Sequence, residues 1–504
     1  MNSQLMFGYG SKAVGLSIDK LNRHGLIAGA TGTGKTVTLK VIAEQLSRAG
    51  IPVFLSDIKG DLTSLAEAGS SEGLIERIQA THYENYENQA FPIEIWDASG
   101  QSGLPLRITV SEMGPILLAN LLGLNETQTS ILNVVFSVAD EKGLLLIDLT
   151  DLRAMLNFVG EHAKELSSAY GNISKASIGV ILRSIVVLEQ QGAAEFFAEP
   201  SLEIEDLMRL DDSGRGIINI LNATKLYQTP TLYAMVLLAL LGELFDSLPE
   251  VGDLEKPKMV FFFDEAHVLF KDTPKALVEK IELIVRLIRS KGVGIFFVTQ
   301  NPMDLPDSVS SQLANRIQHG LRAFTPKELK VVKAVSQTFR QSETSKMNLE
   351  KVIQELSTGE AVVSTLDSEG TPSIAEQVMI YPPMSKLGLV DPQTILKTIN
   401  HSSLIEKYGE TFNRESAHEQ LNKVMQDTQE ELIESIDQNQ KDITPDQRIK
   451  ELEAELANKV KQSVKSGTRR TDSNLDRFTK NMMSQVGREI GRVITRSITG
   501  MFKK

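Results

Sequence analysis

The stretch HGLIAGATGTGKTVTLKVIAEQLSR, residues 24 to 48, decides the fold. Its centre, GATGTGKT at 29 to 36, is a full G-x-x-x-x-G-K-[ST] match, preceded by an apolar run of strand length and followed by a helical pattern. The glycines let the backbone curl so that successive N–H groups face phosphate oxygens, and the helix adds the positive end of its dipole. Gly29, Ala30, Thr31, Gly32, Thr33 and Gly34 are therefore the expected phosphate cradle, Lys35 the cation on the β and γ phosphates, and Thr36 a hydroxyl ligand for Mg²⁺. The alternative, a glycine-rich turn with no ligand, does not explain why a strand and a helix flank it.

Working outward, apolar runs recur as IPVFLSD (51 to 57), PIEIWD (92 to 97), GIINIL (216 to 221), KMVFFFD (258 to 264) and VGIFFVT (293 to 299), each ending near Asp, Gly or Thr. They read as buried parallel strands. Helical patterns between them, such as Val37 to Arg48 and Leu277 to Lys291, give the alternation of a doubly wound α/β sheet. From Ser111 to about Arg209 the period is mostly helical, as in GPILLANLLGLNETQTSILNVVFSVAD, which predicts an all-α insertion. The expected organisation is a first part of the core at 1–110, the insertion at 111–212, a second part of the core at 213–390, and a helical, partly flexible tail at 391–504.

With 504 residues, 41 % hydrophobic and 23 % charged, the chain has the length for two or three folded units and is neither wholly disordered nor fibrous. Zero cysteines exclude disulfides, cysteine-ligated metal sites and a thiol nucleophile, and suit a cytoplasmic location. The start MNSQLMFGYGSK lacks the features of a signal peptide, and the longest apolar stretch, Met235 to Phe245, is shorter than the roughly 20 residues of a spanning helix, so neither export nor a span is expected. The net charge of −12 is unevenly placed: Lys459 to Lys504 carries +9, Asp391 to Asn458 carries −8, and residues 1 to 390 carry −13. An acidic bulk argues against coating nucleic acid all over, but not against a local basic lining. In the tail, Val486, Ile490, Val493, Ile494, Ile498, Met501 and Phe502 share one helical face while Arg488, Arg492 and Arg496 occupy another. Three readings of it stand: a membrane-surface helix, a nucleic-acid arm, or a helix that packs on a partner protein.

The second chemical element is KMVFFFDEAH, where a strand ends in Asp264 and Glu265. Asp264 would hold Mg²⁺ and Glu265 would orient the attacking water, because phosphoryl transfer needs positioning and charge balance more than covalent help. Gln300 comes directly after the strand VGIFFVT, where a neighbouring parallel strand would set it near the γ-phosphate, either as a polar sensor or as an ordinary satisfied amide. Arg286 and Arg289 precede that strand and read as a solvated helix face or as an arginine finger for a neighbouring subunit. Lys327, Lys330 and Lys333 share a helical face after RIQHGLRAF, either solvated or tracking the phosphates of a polymer.

Taken together, GATGTGKT, VFLSDIKGDL, VFFFDEAH, LIRSKGVGIFFVTQNPMDLPDSV and LANRIQHGLRAF resemble the HerA–FtsK superfamily of P-loop motor ATPases, specifically the bacterial HerA-like helicase-type proteins, over roughly residues 20 to 385. The resemblance implies a RecA-like core with an α-helical insertion, ATP and Mg²⁺ as ligands, assembly into a homo-oligomeric ring, often a hexamer, and the pumping of DNA or another polymer through a central pore. By motif it makes Asp264 and Glu265 the Walker B pair, Gln300 the sensor and Arg289 a finger acting in trans, with Asp57 the acidic residue after the second strand and in a role near the site. The glycine loop starts within 30 residues of the first, so the N-terminal β-barrel through which HerA proper docks a nuclease is not expected, nor are FtsK-type spans or a winged-helix DNA reader. The rivals to a DNA motor are a motor that moves or remodels protein and a scaffold gated by nucleotide without turnover.

Overall fold

A parallel strand buried on both faces needs an apolar residue at nearly every position, and the central runs of the chain are used in that way. The structure is a computed structural model that describes residues 4–427 except 85, 253, 272, 343–346, 413 and 425. Among the described residues, twelve strands form one sheet: β1 (Gln4–Tyr9), β2 (Ala13–Ser17), β3 (Gly25–Ala28), β4 (Val53–Asp57), β5 (Ile93–Asp97), β6 (Leu104–Pro105), β7 (Ile218–Asn222), β8 (Met259–Phe263), β9 (Val293–Thr299), β10 (Asn315–His319), β11 (Glu360–Ser364) and β12 (Glu376–Ile380). Their order is β2-β1-β12-β11-β10-β3-β9-β8-β4-β7-β5-β6. From β10 to β6 every pairing is parallel, and from β10 to β2 every pairing is antiparallel. This is the expected α/β class, a mostly parallel RecA-like sheet.

The strand order sets the site. β3, which leads into the glycine loop, is separated from β8, which ends in Asp264 and Glu265, by β9 alone. Because all three run the same way, with Ala28 beside Thr299 and Phe263 beside Phe297, their C-terminal ends fall on one edge. Every residue of β8 and β9 is buried. Phe262 stacks on Phe296 (5.1 Å between ring centres) on the face covered by helix Lys35–Arg48, and Phe261 stacks on Phe54 (4.9 Å) on the other face. That second face is covered by helix Pro230–Ser247, which has the length and hydropathy of a membrane span but is buried from Leu232 to Leu241 and at Leu244. Outside it lie the helices of the insertion, Val110–Leu121, Glu126–Lys142, Leu149–Glu161, Ala163–Tyr170, Lys175–Gln190 and Ile204–Leu207, which enter after β6 and return to the sheet at β7. The first three open on reciprocal capping boxes, Thr109 with Glu112, Asn125 with Gln128 and Asp148 with Asp151, which fix their starts.

Helix Lys35–Arg48 also buries two charged residues one turn apart. Burial pushes Lys40 down to about 8; its ammonium donates to Ser64 Oγ (2.8 Å) and to the carbonyl of Lys386. Glu44 accepts from the backbone N–H groups of Met384 (2.9 Å) and Ser385 (3.0 Å). Together they tie the chain leaving β12 across the back of the helix that carries the glycine loop.

Two features differ from the expected organisation. The antiparallel edge of β1, β2, β11 and β12 is absent from the expected strands: QLMFGYG and AVGLS are short runs broken by Gly8, Gly10 and Gly15, and EAVVS and EQVMI are five-residue runs that open on Glu. The tail expected from 391 begins later, since residues 1–422 form one compact unit. The cause is a few strong anchors in a polar segment. Tyr408 is fully buried with its ring edge-on to Trp96 (5.3 Å), and its hydroxyl donates to Asp206 Oδ2 (2.5 Å) and accepts from Glu203 N (3.0 Å). Lys407 pairs with Asp206 (2.7 Å) and Glu203 (2.5 Å), Arg414 pairs with Glu199, and Ala417 is buried. The apolar stripe at 449 to 460, the linker at 463 to 473 and the basic amphipathic face from Val486 to Phe502 lie outside the described residues.

Trp96 is the only tryptophan of the chain, so it reports on this anchor. Replacing Tyr408 by Ala removes a buried ring and is expected to cost about 3 to 5 kcal/mol. The checks are a lowered urea midpoint and a red-shifted tryptophan emission in the folded protein; an unchanged emission maximum would mean that the segment does not pack on Trp96.

Candidate active site

At the end of β3 the chain must turn sharply without side chains in the way. Gly29 (φ +153°), Gly32 (+76°) and Gly34 (+109°) supply the turn, with Gly34 as the cap of helix Lys35–Arg48. A Cβ on Gly29 would lie 2.5 Å from the Cβ of His319, and one on Gly34 would lie 3.1 Å from the backbone of Gly359, whereas a Cβ on Gly32 would meet nothing within 4 Å. The back of the loop is thus closely supported and its tip faces open space. The support is polar as well: Ala30 N donates to Gly320 O (2.9 Å), Gly359 N donates to Thr33 O (2.9 Å), and Thr33 Oγ1 donates to Ala30 O (2.7 Å). His319 accepts from Thr38 Oγ1 (2.8 Å) and donates Nδ1–H to Glu360 O (2.8 Å); burial pushes its pKa down to about 4, so it stays neutral. Arg77 closes the far side by donating to Gly359 O (2.7 Å) and Ile380 O (3.1 Å).

Lys35 is buried, and its ammonium donates to the carbonyls of Gly29 (2.7 Å) and Ala30 (3.0 Å). Burial pushes its pKa down, and the charges of Glu265 and Asp264 work the other way. Thr36 is next along the chain, half-buried in the first turn of the helix.

The carboxylates come from the end of β8. Asp264 is 3 % exposed; its backbone N–H donates to Ser56 Oγ (3.2 Å), which also accepts from the hydroxyl of Tyr233 (3.0 Å). Burial pushes Asp264 up to about 6, with Lys59 pulling it down and Glu265 pushing it further up. Glu265 sits at φ +48°, a left-handed backbone that costs a residue with a Cβ about 1 to 3 kcal/mol and that persists only where the surroundings enforce it. Burial opposes its charge, but the Lys59 ammonium and the Gln300 amide outweigh burial and hold its pKa below the ordinary carboxylate value.

These groups form one connected array. Thr31 Oγ1 donates to Gln300 Oε1 (3.1 Å), Gln300 Nε2 donates to both oxygens of Glu265 (3.1 and 3.2 Å), and Lys59 Nζ lies 2.9 Å from Glu265 Oε1 and 3.8 Å from Asp264 Oδ2. The glycine loop and the carboxylate pair, about 230 residues apart in sequence, therefore meet at one place. The residues fit a nucleoside triphosphate with Mg²⁺. The loop tip has room at Gly32, the N–H groups of a fourteen-residue helix lie behind it, and Thr36 and Asp264 offer the hydroxyl and carboxylate oxygens that Mg²⁺ prefers. Bound there, the ion would offset phosphate charge.

One sequence expectation changes in detail. Asp57 does not reach into the array: its carboxylate accepts from the backbone N–H groups of Lys59 (3.2 Å), Gly60 (2.7 Å) and Leu62 (2.9 Å), and burial pushes it up to about 6. The residue that does reach in is Lys59, two positions on. Sequence reasoning misses it although it stands in VFLSDIKGDL, at the end of the strand that neighbours β8. Arg289 lies in the 3₁₀ turn Ile288–Lys291, which precedes β9, so the seven residues of that strand, at about 3.3 Å each, place it roughly 20 Å from Gln300. It contributes instead to the environment of buried His24, whose pKa is pushed down to about 4 by burial and by that charge. Within one chain Arg289 is not part of the array.

Residues 3–504 match the family described as Helicase HerA-like C-terminal. The chain is 22 % identical over 371 residues to the DNA double-strand break repair helicase HerA of Sulfolobus acidocaldarius, an alignment that covers 69 % of this chain and 64 % of that relative. Among solved structures it is similar to the plasmid coupling protein TrwB in complex with a non-hydrolysable ATP analogue (14 % identity, TM-score 0.49, 74 % of this chain and 87 % of that one). It is also similar to VirB4 of Thermoanaerobacter pseudethanolicus (15 % identity, TM-score 0.45, 78 % and 98 %). With a family match that runs over nearly its whole length, joined to a glycine loop and a Walker B pair that converge, the chain belongs to the HerA-like family of the HerA–FtsK P-loop ATPases.

Proposed function

We propose that the protein hydrolyses ATP with Mg²⁺ and uses the energy to translocate DNA, acting as a ring of identical subunits, hexameric by resemblance. The observation that carries hydrolysis is the array from Thr31 through Gln300 to Glu265. It sets a carboxylate, held ionised, beside the phosphate loop, where it orients a water for in-line attack. Lys35 and the helix N-terminus take up the charge that develops on the phosphates. Gln300 touches both the loop and the base, which suits a residue that reports the state of the γ-phosphate.

DNA as the cargo is supported by a local surface. Lys327, Lys330 and Lys333 are all exposed on helix Pro326–Ser336, and Phe324, 87 % exposed, stands just before it. Lysines beside a free aromatic ring suit an anionic polymer better than a protein segment. Arg289, remote from the array of its own chain, would serve the nucleotide of a neighbouring subunit.

Four outcomes are expected. Glu265→Gln retains ATP binding but lowers phosphate release by on the order of 10²-fold or more, whereas a nucleotide-gated scaffold would show no release to lose. Duplex DNA stimulates hydrolysis at low salt, the effect fades as salt rises, and exchanging Lys327, Lys330 and Lys333 for Glu removes it; stimulation by unfolded protein instead would favour the protein-moving reading. Light scattering finds an assembly larger than a monomer with ATP and Mg²⁺, and a monomer under all conditions would remove the role of Arg289. The pH dependence is set by Asp264: its carboxyl, at about 6, must lose its proton to bind Mg²⁺, so the Mg²⁺ needed for half-maximal hydrolysis is flat above that pH. Below it the requirement rises, by up to about tenfold per pH unit, which Mg²⁺ titrations at several pH values will measure.

A further inference from the structure

The half-exposed Lys59 pairs with a nearly buried carboxylate, and an ion pair with that much water around one partner contributes little to stability. Its geometry serves something else. Glu265 has two oxygens and a strained backbone, and its described side-chain contacts come from three directions. Gln300 donates to both oxygens from the β9 side, His267 Nδ1 lies 3.5 Å from Oε2, and Lys59 lies 2.9 Å from Oε1 on the β4 side. Lysine is a flexible cation, yet its backbone here is fixed: the carboxylate of Asp57 accepts from the N–H groups of residues 59, 60 and 62 and makes the turn rigid. The several lone pairs of a carboxylate let Glu265 accept from Gln300 and Lys59 and still have acceptor capacity for a water.

We infer that Lys59 is a positioning residue for hydrolysis. It holds the Glu265 carboxylate against Gln300 in the orientation that attack requires, and Asp57 acts one step further back by presenting Lys59. This role rests on the hydrolysis proposed above. Loss of Lys59 leaves the nucleotide contacts of the loop intact and lets the carboxylate swing, so turnover falls while binding does not.

The test is steady-state hydrolysis and equilibrium binding of a fluorescent ATP analogue by the full chain, in wild type, Lys59→Met, Lys59→Arg, Glu265→Gln and the double variant K59M/E265Q. The expected result is a kcat for Lys59→Met lowered at least about tenfold, with KM and analogue affinity within about twofold of wild type. Lys59→Arg, which keeps the charge, recovers most of the rate, and K59M adds nothing in the Glu265→Gln background because the group it positions is gone. An unchanged kcat in Lys59→Met would overturn the role, as would a raised KM at constant kcat, which would make Lys59 a nucleotide contact. Equal loss in Lys59→Met and Lys59→Arg together with a lowered melting temperature would make it a structural residue. A wild type without turnover would overturn the hydrolysis reading itself, and that is seen before any variant is compared.

Discussion

Everything at the site depends on three parallel strands ending together. β3, β9 and β8 run side by side in one direction and lead, in that order, into a glycine loop, an amide and a carboxylate pair. The constraint is maintained by burial on both faces, because Phe261, Phe262, Phe263, Phe296 and Phe297 all lie fully inside. Each such ring contributes on the order of 1.5 to 3 kcal/mol when removed from water, so the centre of the sheet is rigid compared with its loops. A shift of β8 by one residue would exchange the two faces of that run and carry Asp264 and Glu265 away from Gln300.

On that frame the charges of the site are set against one another. Lys35 and Lys59 face Asp264 and Glu265, and the buried Asp57 is answered by three backbone N–H groups. Two carboxyls, Asp57 and Asp264, are nonetheless pushed up to about 6 by burial, while Glu265 is kept low. The difference between neighbours comes from contacts: Glu265 receives an ammonium at 2.9 Å and an amide, while Asp264 has the same ammonium only at 3.8 Å. For the hydrolysis proposed above, a carboxyl that would give up a proton to a metal beside one that stays ionised to orient water would divide the labour of phosphoryl transfer.

Where side chains face a repeated environment, the sequence is easy to read. The six parallel strands legible as apolar runs show it, since burial on both faces leaves such a run unbroken, and so does the glycine loop, whose spacing is dictated by phosphate geometry. Lys59 is harder, because a lysine in a polar turn has no pattern of its own; its role depends on Asp57 curling the chain back toward β8. In the antiparallel edge β1 and β2 are hidden by glycines that interrupt short strands, and β11 and β12 are runs of only five residues that open on Glu; the 391–422 segment is hidden by a polar composition in which Tyr408 and Ala417 do the packing. His319 and Arg77 support the loop through carbonyl contacts that only the folded chain brings within reach.

Those two residues connect the loop to the rest of the molecule. The glycine loop leans on the end of β10 through Gly320 and His319 and on the start of β11 through Gly359, and Arg77 ties Gly359 to β12. The chain leaves β10 through Phe324 directly into helix Pro326–Ser336 with its three lysines. For a motor of the proposed kind, a loop that tightens on phosphate need pull on only two carbonyls and one imidazole to reach the strand that leads to the basic helix. Hydrogen bonds of about 2.8 to 2.9 Å in close-packed surroundings transmit such a displacement instead of absorbing it. The short run of contacts from the phosphate loop through the end of β10 thus joins the two places that the proposed function uses, and its firmness comes from the same burial that places the site.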